Sequence, residues 1–170
     1  PRPLGTLIAC DTDKRRLGNL RPRAERAGAD IISEILLNPG REMDALDAWR
    51  GKADAVLVDA PCSGTGTWRR NPESRWRISP QEIERLSALQ FRLLEIASQL
   101  LRPGGRIVYV VCSLLDAEGA EVFGRFSAAY PQFRADPPQL SAGRARGAGV
   151  RLTPYHDGTD GFFFTRAALV

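Results

Sequence analysis

ADAVLVDAPCSGTG (residues 53–66) is a run of small and branched apolar residues that ends in an acid, turns at Pro61 and delivers a cysteine into a Gly-rich loop. An apolar run bounded by turn formers fits a strand buried on both faces, the kind found at the centre of a parallel sheet. RIVYVVCS (106–113) repeats the pattern, again with a cysteine at the end of the run. Between them, SPQEIERLSALQFRLLEIASQLL (79–101) predicts a helix: Ser79 and Glu82 form a capping box, and Pro80 occupies the first helical position. Ile83, Leu86, Leu93, Ala97 and Leu100 form its apolar face, and RPGG (102–105) stops it. Strand, helix, strand is the repeating unit of an α/β fold. Such folds present their chemistry at the carboxyl ends of the strands, where Cys62 and Cys112 both fall.

The flanks extend the alternation. TLIACD (6–11) predicts a short strand ending in Asp11, and DKRRLGNLRPRAERAGA (13–29) a helix interrupted by Pro22. A weaker strand is expected within ADIISEILL (29–37), followed by an irregular stretch, NPGREMDALDAWRGK (38–52). Beyond Cys112, DAEGAEVFGRFSAAY (116–130) predicts a helix capped by Asp116, although Gly119 and Gly124 weaken it. PQFRADPPQLSAGRARGAG (131–149) has the composition of a flexible excursion. The last stretch, VRLTPYHDGTDGFFFTRAAL, predicts two strands joined across HDGTDG as an antiparallel hairpin.

The chain has 170 residues, 43% hydrophobic and 26% charged, which fits one soluble domain. No apolar run approaches the ~18 residues of a membrane span, and no signal-peptide pattern opens the sequence, so a cytoplasmic location is expected. Three cysteines without framework spacing imply reduced thiols rather than a disulfide scaffold. A single histidine, His156, and no Cys-x-x-Cys pair give little support for a metal centre. The net charge is +4, and all basic residues except Lys14 and Lys52 are arginine. Guanidinium forks match phosphate oxygens, which suits a nucleic-acid partner, and a GC-rich coding bias accounts for the arginines equally well. The only methionine is Met43, and the first residues run almost directly into a strand, so structure is expected to continue upstream.

Several residues are candidates for chemistry. Asp11 ends a strand where nucleotide-binding folds place an acid against a ribose diol, and the spacing fits a helix cap as well. Pro61 aims Cys62 outward, and Gly64 and Gly66 would permit close approach of a ligand. Six residues separate Cys62 from Arg69, one too many for the phosphate cradle of a cysteine phosphatase. Cys112 precedes the start of a predicted helix, a position that lowers a thiol pKa. Either cysteine could instead be a buried structural thiol. Arg69, Arg70, Arg75 and Arg77, interleaved with Trp68 and Trp76, fit a surface that contacts phosphates and stacks on bases; a solvated loop packed on Trp68 is the plain alternative. His156, in a turn, reads as a surface hydrogen-bonding residue.

VDAPCSGTGTWRRNP, the helix positions Gln90, Leu93 and Leu94, LRPGGRIVYVVCSLL and DGTDGFFF together resemble the NOP/Sun (Fmu-like) RNA cytosine-5 methyltransferases over nearly the whole chain. The resemblance implies a Rossmann-like class I methyltransferase fold, a mostly parallel sheet with a C-terminal antiparallel hairpin, and S-adenosylmethionine as cofactor. It implies RNA, ribosomal or transfer, as partner. Cys112 would add to carbon 6 of cytosine and so activate carbon 5, with Cys62 assisting exit from the covalent adduct. In DNA cytosine methyltransferases the nucleophile follows a proline as Cys62 does, which makes Cys62 the rival nucleophile. Asp59 would contact base or cofactor and Asp11 the cofactor ribose, while Asn38 stands where the family carries an acid. Gly119 likewise replaces a polar residue common in the family. The family's first strand and Gly-rich cofactor loop should precede Asp11, so residues 1–170 are expected to be an N-terminally truncated catalytic domain. A non-catalytic RNA-binding module is the second reading. A cysteine hydrolase lacks a histidine partner, since His156 lies on a distant turn.

Overall fold

In a computed structural model of the chain, the structure describes residues 5–29, 32–136 and 139–170. The chain divides into two compact units, Pro1–Ala48 and Trp49–Val170.

The first unit contains β1 (Leu7–Asp11), α1 (Lys14–Gly18), α2 (Leu20–Arg26), β2 (Ile32–Leu36) and α3 (Glu42–Leu46). β1 and β2 pair in parallel, with Asp11 opposite Leu36. Asp13 caps α1 by accepting the backbone N–H groups of Arg15 and Arg16 at 2.8 and 3.1 Å. The interruption expected at Pro22 falls earlier, at Asn19, between the two helices. Pro22 has no N–H for the Gly18 carbonyl and crowds that group, so the helix breaks there and restarts with Pro22 tolerated in the first turn. Residues 30 and 31 of the expected second strand lie outside the described residues. The stretch 38–52 is not irregular throughout: α3 and a 3-10 turn at Asp47–Trp49 occupy its middle. Elements of three to five residues are too short to show a helical period.

The second unit holds β3 (Ala53–Asp59), α4 (Pro80–Leu100), β4 (Leu101–Val111), α5 (Ala120–Ala129), β5 (Phe133–Ala135), β6 (Arg144–Arg146), β7 (Gly149–Leu152), α6 (Pro154–Asp157) and β8 (Phe162–Leu169). Its sheet has the order β3-β4-β8-β7-β6, with β5 also on β8. β3 and β4 are parallel, and the remaining ladders of this sheet are antiparallel. The α/β architecture is therefore built on a mixed sheet. β7 and β8 form the expected antiparallel pair, with α6 inside the connection. RPGG does not separate α4 from the next strand; it bulges within β4, whose register against β3 jumps from Leu101 opposite Ala53 to Arg106 opposite Ala55. The stretch expected to be a flexible excursion, 131–149, carries β5 and β6, and its residues 137 and 138 lie outside the described residues. Phe133 anchors β5 by its own burial against the core.

Alternation on the strands builds one buried face. Ile107, Tyr109 and Val111 of β4 and Phe163, Thr165 and Ala167 of β8 are fully buried. Against them pack Leu94 and Ala97 of α4 and Val122, Phe123 and Phe126 of α5. On α4 the buried stripe is Leu86, Gln90, Leu94, Ala97 and Leu100, while Ile83 and Leu93 are only half-buried. The stripe runs through a polar residue, which a reading by hydrophobicity alone steps around. β3, expected at the centre, is an edge strand of this sheet, and its Leu57 is 67% exposed. α5 starts at Ala120, after a 3-10 turn at Asp116–Glu118, so Asp116 caps no helix. Gly119 between them lies against the Phe163 ring, where a β-carbon would come within 2.8 Å of Cγ. No helix among the described residues is long and apolar enough to cross a membrane.

Candidate active site

Parallel pairing of β3 and β4 brings Asp59 and Cys112 to the same end of the sheet, with Asp59 opposite Val110. The chain leaves β3 through Ala60 and Pro61, which carry Cys62 towards the end of β4, and the two sulfur atoms lie 3.3 Å apart. Both thiols are half-buried, and all three cysteines of the chain are free. At this distance one thiol donates a hydrogen bond to the other sulfur. The hydrogen bond from Cys62 pulls the Cys112 thiol below the ordinary range, against burial and against the charges of Asp59 and Glu118. The same hydrogen bond, followed by burial, pushes the Cys62 thiol up. Cys112 is thus the more acidic thiol of the pair. Asp59 is exposed at the strand end.

The loops that carry the cysteines are cross-braced. The Gly66 N–H donates to the Cys112 carbonyl at 3.0 Å, and the Leu114 N–H donates to Thr65 Oγ1 at 2.9 Å. Thr65 Oγ1 and Ser113 Oγ are 3.0 Å apart. Beneath them lies Glu118, fully buried. Its Oε1 accepts the Ser63 N–H at 2.7 Å and Gln90 Nε2–H at 3.4 Å, and its Oε2 accepts the hydroxyls of Ser63 and Ser113, the latter at 2.7 Å. Gln90 also donates to the Pro61 carbonyl at 2.8 Å, and the Tyr109 hydroxyl is shared between Gln90 Oε1 and the Glu118 carbonyl. Every polar group in this buried cluster is satisfied. Sequence reasoning overlooked Glu118 and gave Gln90 no site role. The available signal was a polar residue within an apolar stripe: Gln90 between Leu86 and Leu94, and Glu118 four residues before Val122 and eight before Phe126.

The glycines do something other than expected. Gly66 faces backbone, not an open ligand site: a β-carbon there would sit 2.0 Å from the Gly161 carbonyl oxygen. The Gly161 N–H donates to the Gly66 carbonyl at 2.8 Å, so the DGTDG turn is stitched to the cysteine loop. Gly64 has φ +70°, the conformation glycine tolerates best. Asp160, in the same turn, holds Arg70 at 2.6 Å and Arg69 at 3.3 Å. Arg75 lies over the Trp76 ring at 4.4 Å, and Trp76 is 78% exposed; Trp68 is also exposed rather than packed beneath the loop. The loop therefore displays indole and guanidinium together.

Asp11 and Asn38 belong to the first unit, Asp11 as the last residue of β1 and Asn38 two residues beyond the end of β2. Asp11 Oδ1 accepts the Asp13 N–H at 2.8 Å, and the Asp11 backbone carbonyl accepts the Leu37 N–H at 2.9 Å. Asn38 is exposed. His156 lies on α6, its ring Nδ1 3.1 Å from Thr153 Oγ1, on an exposed turn as expected.

A family model described as 16S rRNA methyltransferase RsmB/F matches residues 2–168. The chain belongs to this family. Among curated relatives of the RsmB/F chain, Ribosomal RNA small subunit methyltransferase B of Thermus thermophilus is 47% identical over 87% of it, and that of Xanthomonas campestris pv. campestris 39% identical over 93%. The chain spans 37% and 36% of those two proteins, just over a third of their length. The crystal structure of NSun6 from Pyrococcus horikoshii with SFG superposes with a TM-score of 0.82 at 25% identity, over 98% of this chain and 42% of that one.

Proposed function

We propose that the chain is part of the catalytic domain of a ribosomal RNA methyltransferase that methylates carbon 5 of cytosine from S-adenosylmethionine, through a covalent adduct on Cys112. The observation that carries this reading is the 3.3 Å pair of unlike thiols beside Asp59. Carbon 5 of cytosine is too weak a nucleophile to be alkylated directly. Addition of the Cys112 thiolate to carbon 6 moves the double-bond electrons towards carbon 5 and makes it nucleophilic. S-adenosylmethionine, when bound, supplies the electrophilic methyl group.

The residues of the first unit suit that cofactor. Asp11 uses Oδ1 on a backbone N–H, and Oδ2 is left to accept a ribose hydroxyl; Asn38 offers a side-chain carbonyl just past the end of the neighbouring strand β2. After methylation, the carbon 5 proton must pass to a base as the carbon 5–carbon 6 double bond reforms and Cys112 departs as thiolate. Cys62, in contact with the departing sulfur, can donate its S–H hydrogen bond to the leaving thiolate at that step. Asp59 lies close enough to Cys112 for its charge to act on that thiol, which supports a role for it beside the base. Trp68, Trp76 and Arg75 provide stacking and phosphate contacts for flanking nucleotides. Ribosomal RNA as substrate implies a cytoplasmic protein.

The test is methyl transfer by the intact protein from labelled S-adenosylmethionine to cytosine-containing small-subunit RNA. Cys112→Ala is expected to abolish both incorporation and adduct, whereas Cys62→Ala accumulates a protein–RNA adduct stable to denaturation. Full incorporation with Cys112→Ala would sink the nucleophile assignment. Salt-sensitive RNA binding without any methyl transfer or cofactor binding would favour a non-catalytic RNA-binding module.

A further inference from the structure

Glu118 is the fully buried acid of the second unit that no step of the methylation chemistry uses. An ionised carboxylate is acceptor-only and needs donors from every side when it leaves water. Here the donors come from three places at once: Ser63, next to Cys62; Ser113, next to Cys112; and Gln90 of α4. Each oxygen is used twice, once by each of two partners, and Ser63 is gripped through both its backbone N–H and its hydroxyl. Gln90 extends the grip to the Pro61 carbonyl, the residue before Cys62. Tyr109 of β4 fixes the other side by donating to the Glu118 backbone carbonyl. The two residues that follow the two cysteines are therefore tied to one carboxylate, and that carboxylate is anchored to a helix and to a strand.

We propose that Glu118 is a positioning residue: it sets the separation and mutual orientation of the Cys62 and Cys112 thiols by clamping the residue that follows each of them. The proposal deepens the methyltransferase reading and rests on it for its kinetic arm only. The geometry argues for a carboxylate in particular. A glutamine of the same shape would turn amide hydrogens towards the Ser63 N–H or the serine hydroxyls and lose at least one acceptor. An aspartate is one methylene short of both serines.

Two measurements on the intact protein separate positioning from a general loss of fold. The first needs no RNA. Diamide accepts two hydrogen atoms as the two thiols lose theirs and the Cys62–Cys112 bond forms, and the rate of this closure, read by mass spectrometry per folded molecule, reports thiol spacing. Glu118→Gln is expected to slow closure several-fold and Glu118→Ala by roughly 10²-fold, the order expected for a misplacement of about 1 Å. The second is methylation. kcat should fall in the order wild type, Glu118→Gln, Glu118→Ala, with KM for RNA unchanged. The acid limb of adduct formation should at the same time move to higher pH: of the groups that act on Cys112, namely Cys62, Asp59 and Glu118, the Cys62 hydrogen bond is the largest influence and lowers it, and loosening that contact outweighs the smaller relief from losing the Glu118 charge. Loss of fold would not move that limb. If Glu118→Ala does not fold, Ser63→Ala and Ser113→Ala each remove one hydroxyl from the carboxylate and should show the same slowing in smaller degree. Wild-type closure rates in folded Glu118→Gln and in both serine variants would overturn the proposal. A wild-type protein that closes the disulfide but never methylates RNA would overturn the methyltransferase reading and leave this one standing.

Discussion

The two cysteines share one residue type and one kind of position, yet the structure gives them opposite acid–base behaviour. Cys112 gains its thiolate character first from the Cys62 hydrogen bond; burial, Asp59 and Glu118 all oppose it. A lowered pKa keeps the thiolate populated at lower pH, so the single-turnover rate of adduct formation should rise with pH along a limb below the ordinary thiol value of about 8.5. Cys62→Ala removes the largest lowering influence and leaves the opposing ones, so the limb should move up, past that value. A limb unchanged in Cys62→Ala would show that the thiol pair is not coupled. Both cysteines could be picked out in the sequence because each ends an apolar run beside turn formers. Which of them is the nucleophile was supplied by family resemblance, since spacing along the chain says nothing of a proton shared across 50 residues. Glu118 escaped notice because its partners, Ser63 and Gln90, are non-local, 55 and 28 residues away.

Elements of seven residues or more were readable from pattern alone: α4 with its cap, and the apolar runs of β3, β4 and β8. Among the shorter ones, β1, β2 and β7 were expected, whereas α3, β5 and β6 were not. β5 and β6 exist because β8 and β7 offer them edges, and α3 because tertiary contacts stabilise a single turn. Loop glycines were recognised as special but given the wrong neighbour, because the approach of Gly161 to Gly66 joins elements far apart in sequence. That contact yields a graded prediction. Gly66→Ala must displace a backbone carbonyl and should cost about 1–3 kcal/mol in thermal denaturation, with methylation falling further than stability because Gly66 also binds the Cys112 carbonyl. Gly64→Ala meets only an ordinary contact at 3.5 Å and pays chiefly for its left-handed backbone, about 1–2 kcal/mol. Equal activity loss in the two variants would remove the special place given to the Gly66–Gly161 contact.

Across the second unit as a whole, charge ties the segment before α5 to the β6–β7 hairpin. Asp116 pairs with Arg146 and Arg151, and the Arg146 hydrogen bond leads in holding its carboxyl down at about 2. A depressed folded-state pKa stabilises above the unfolded value near 3.9 and is lost as pH falls towards 2. Asp116→Asn should therefore lower the unfolding midpoint at pH 7, with the difference from wild type shrinking between pH 4 and about 2. A difference constant with pH would mean packing rather than charge. At the opposite extreme of range, Arg75 and Arg77 are exposed on the tryptophan loop, while Arg69 and Arg70 are engaged by Asp160. Arg75→Ala with Arg77→Ala should flatten the salt dependence of RNA binding by up to about two in log–log slope, more than Arg69→Ala with Arg70→Ala. Equal slopes in the two double variants would argue against this division. β8 is the last strand along the chain, yet it lies between β4 and β7 and pairs with both. During synthesis the inner position of the sheet is thus filled last, and Gly161, which secures the Cys62 loop, arrives only just before it. A growing chain exposes the open edge of β4 and an unsecured thiol pair until the Phe162–Leu169 segment has emerged, so the interval just before that segment appears is the one in which this unit is most prone to aggregate.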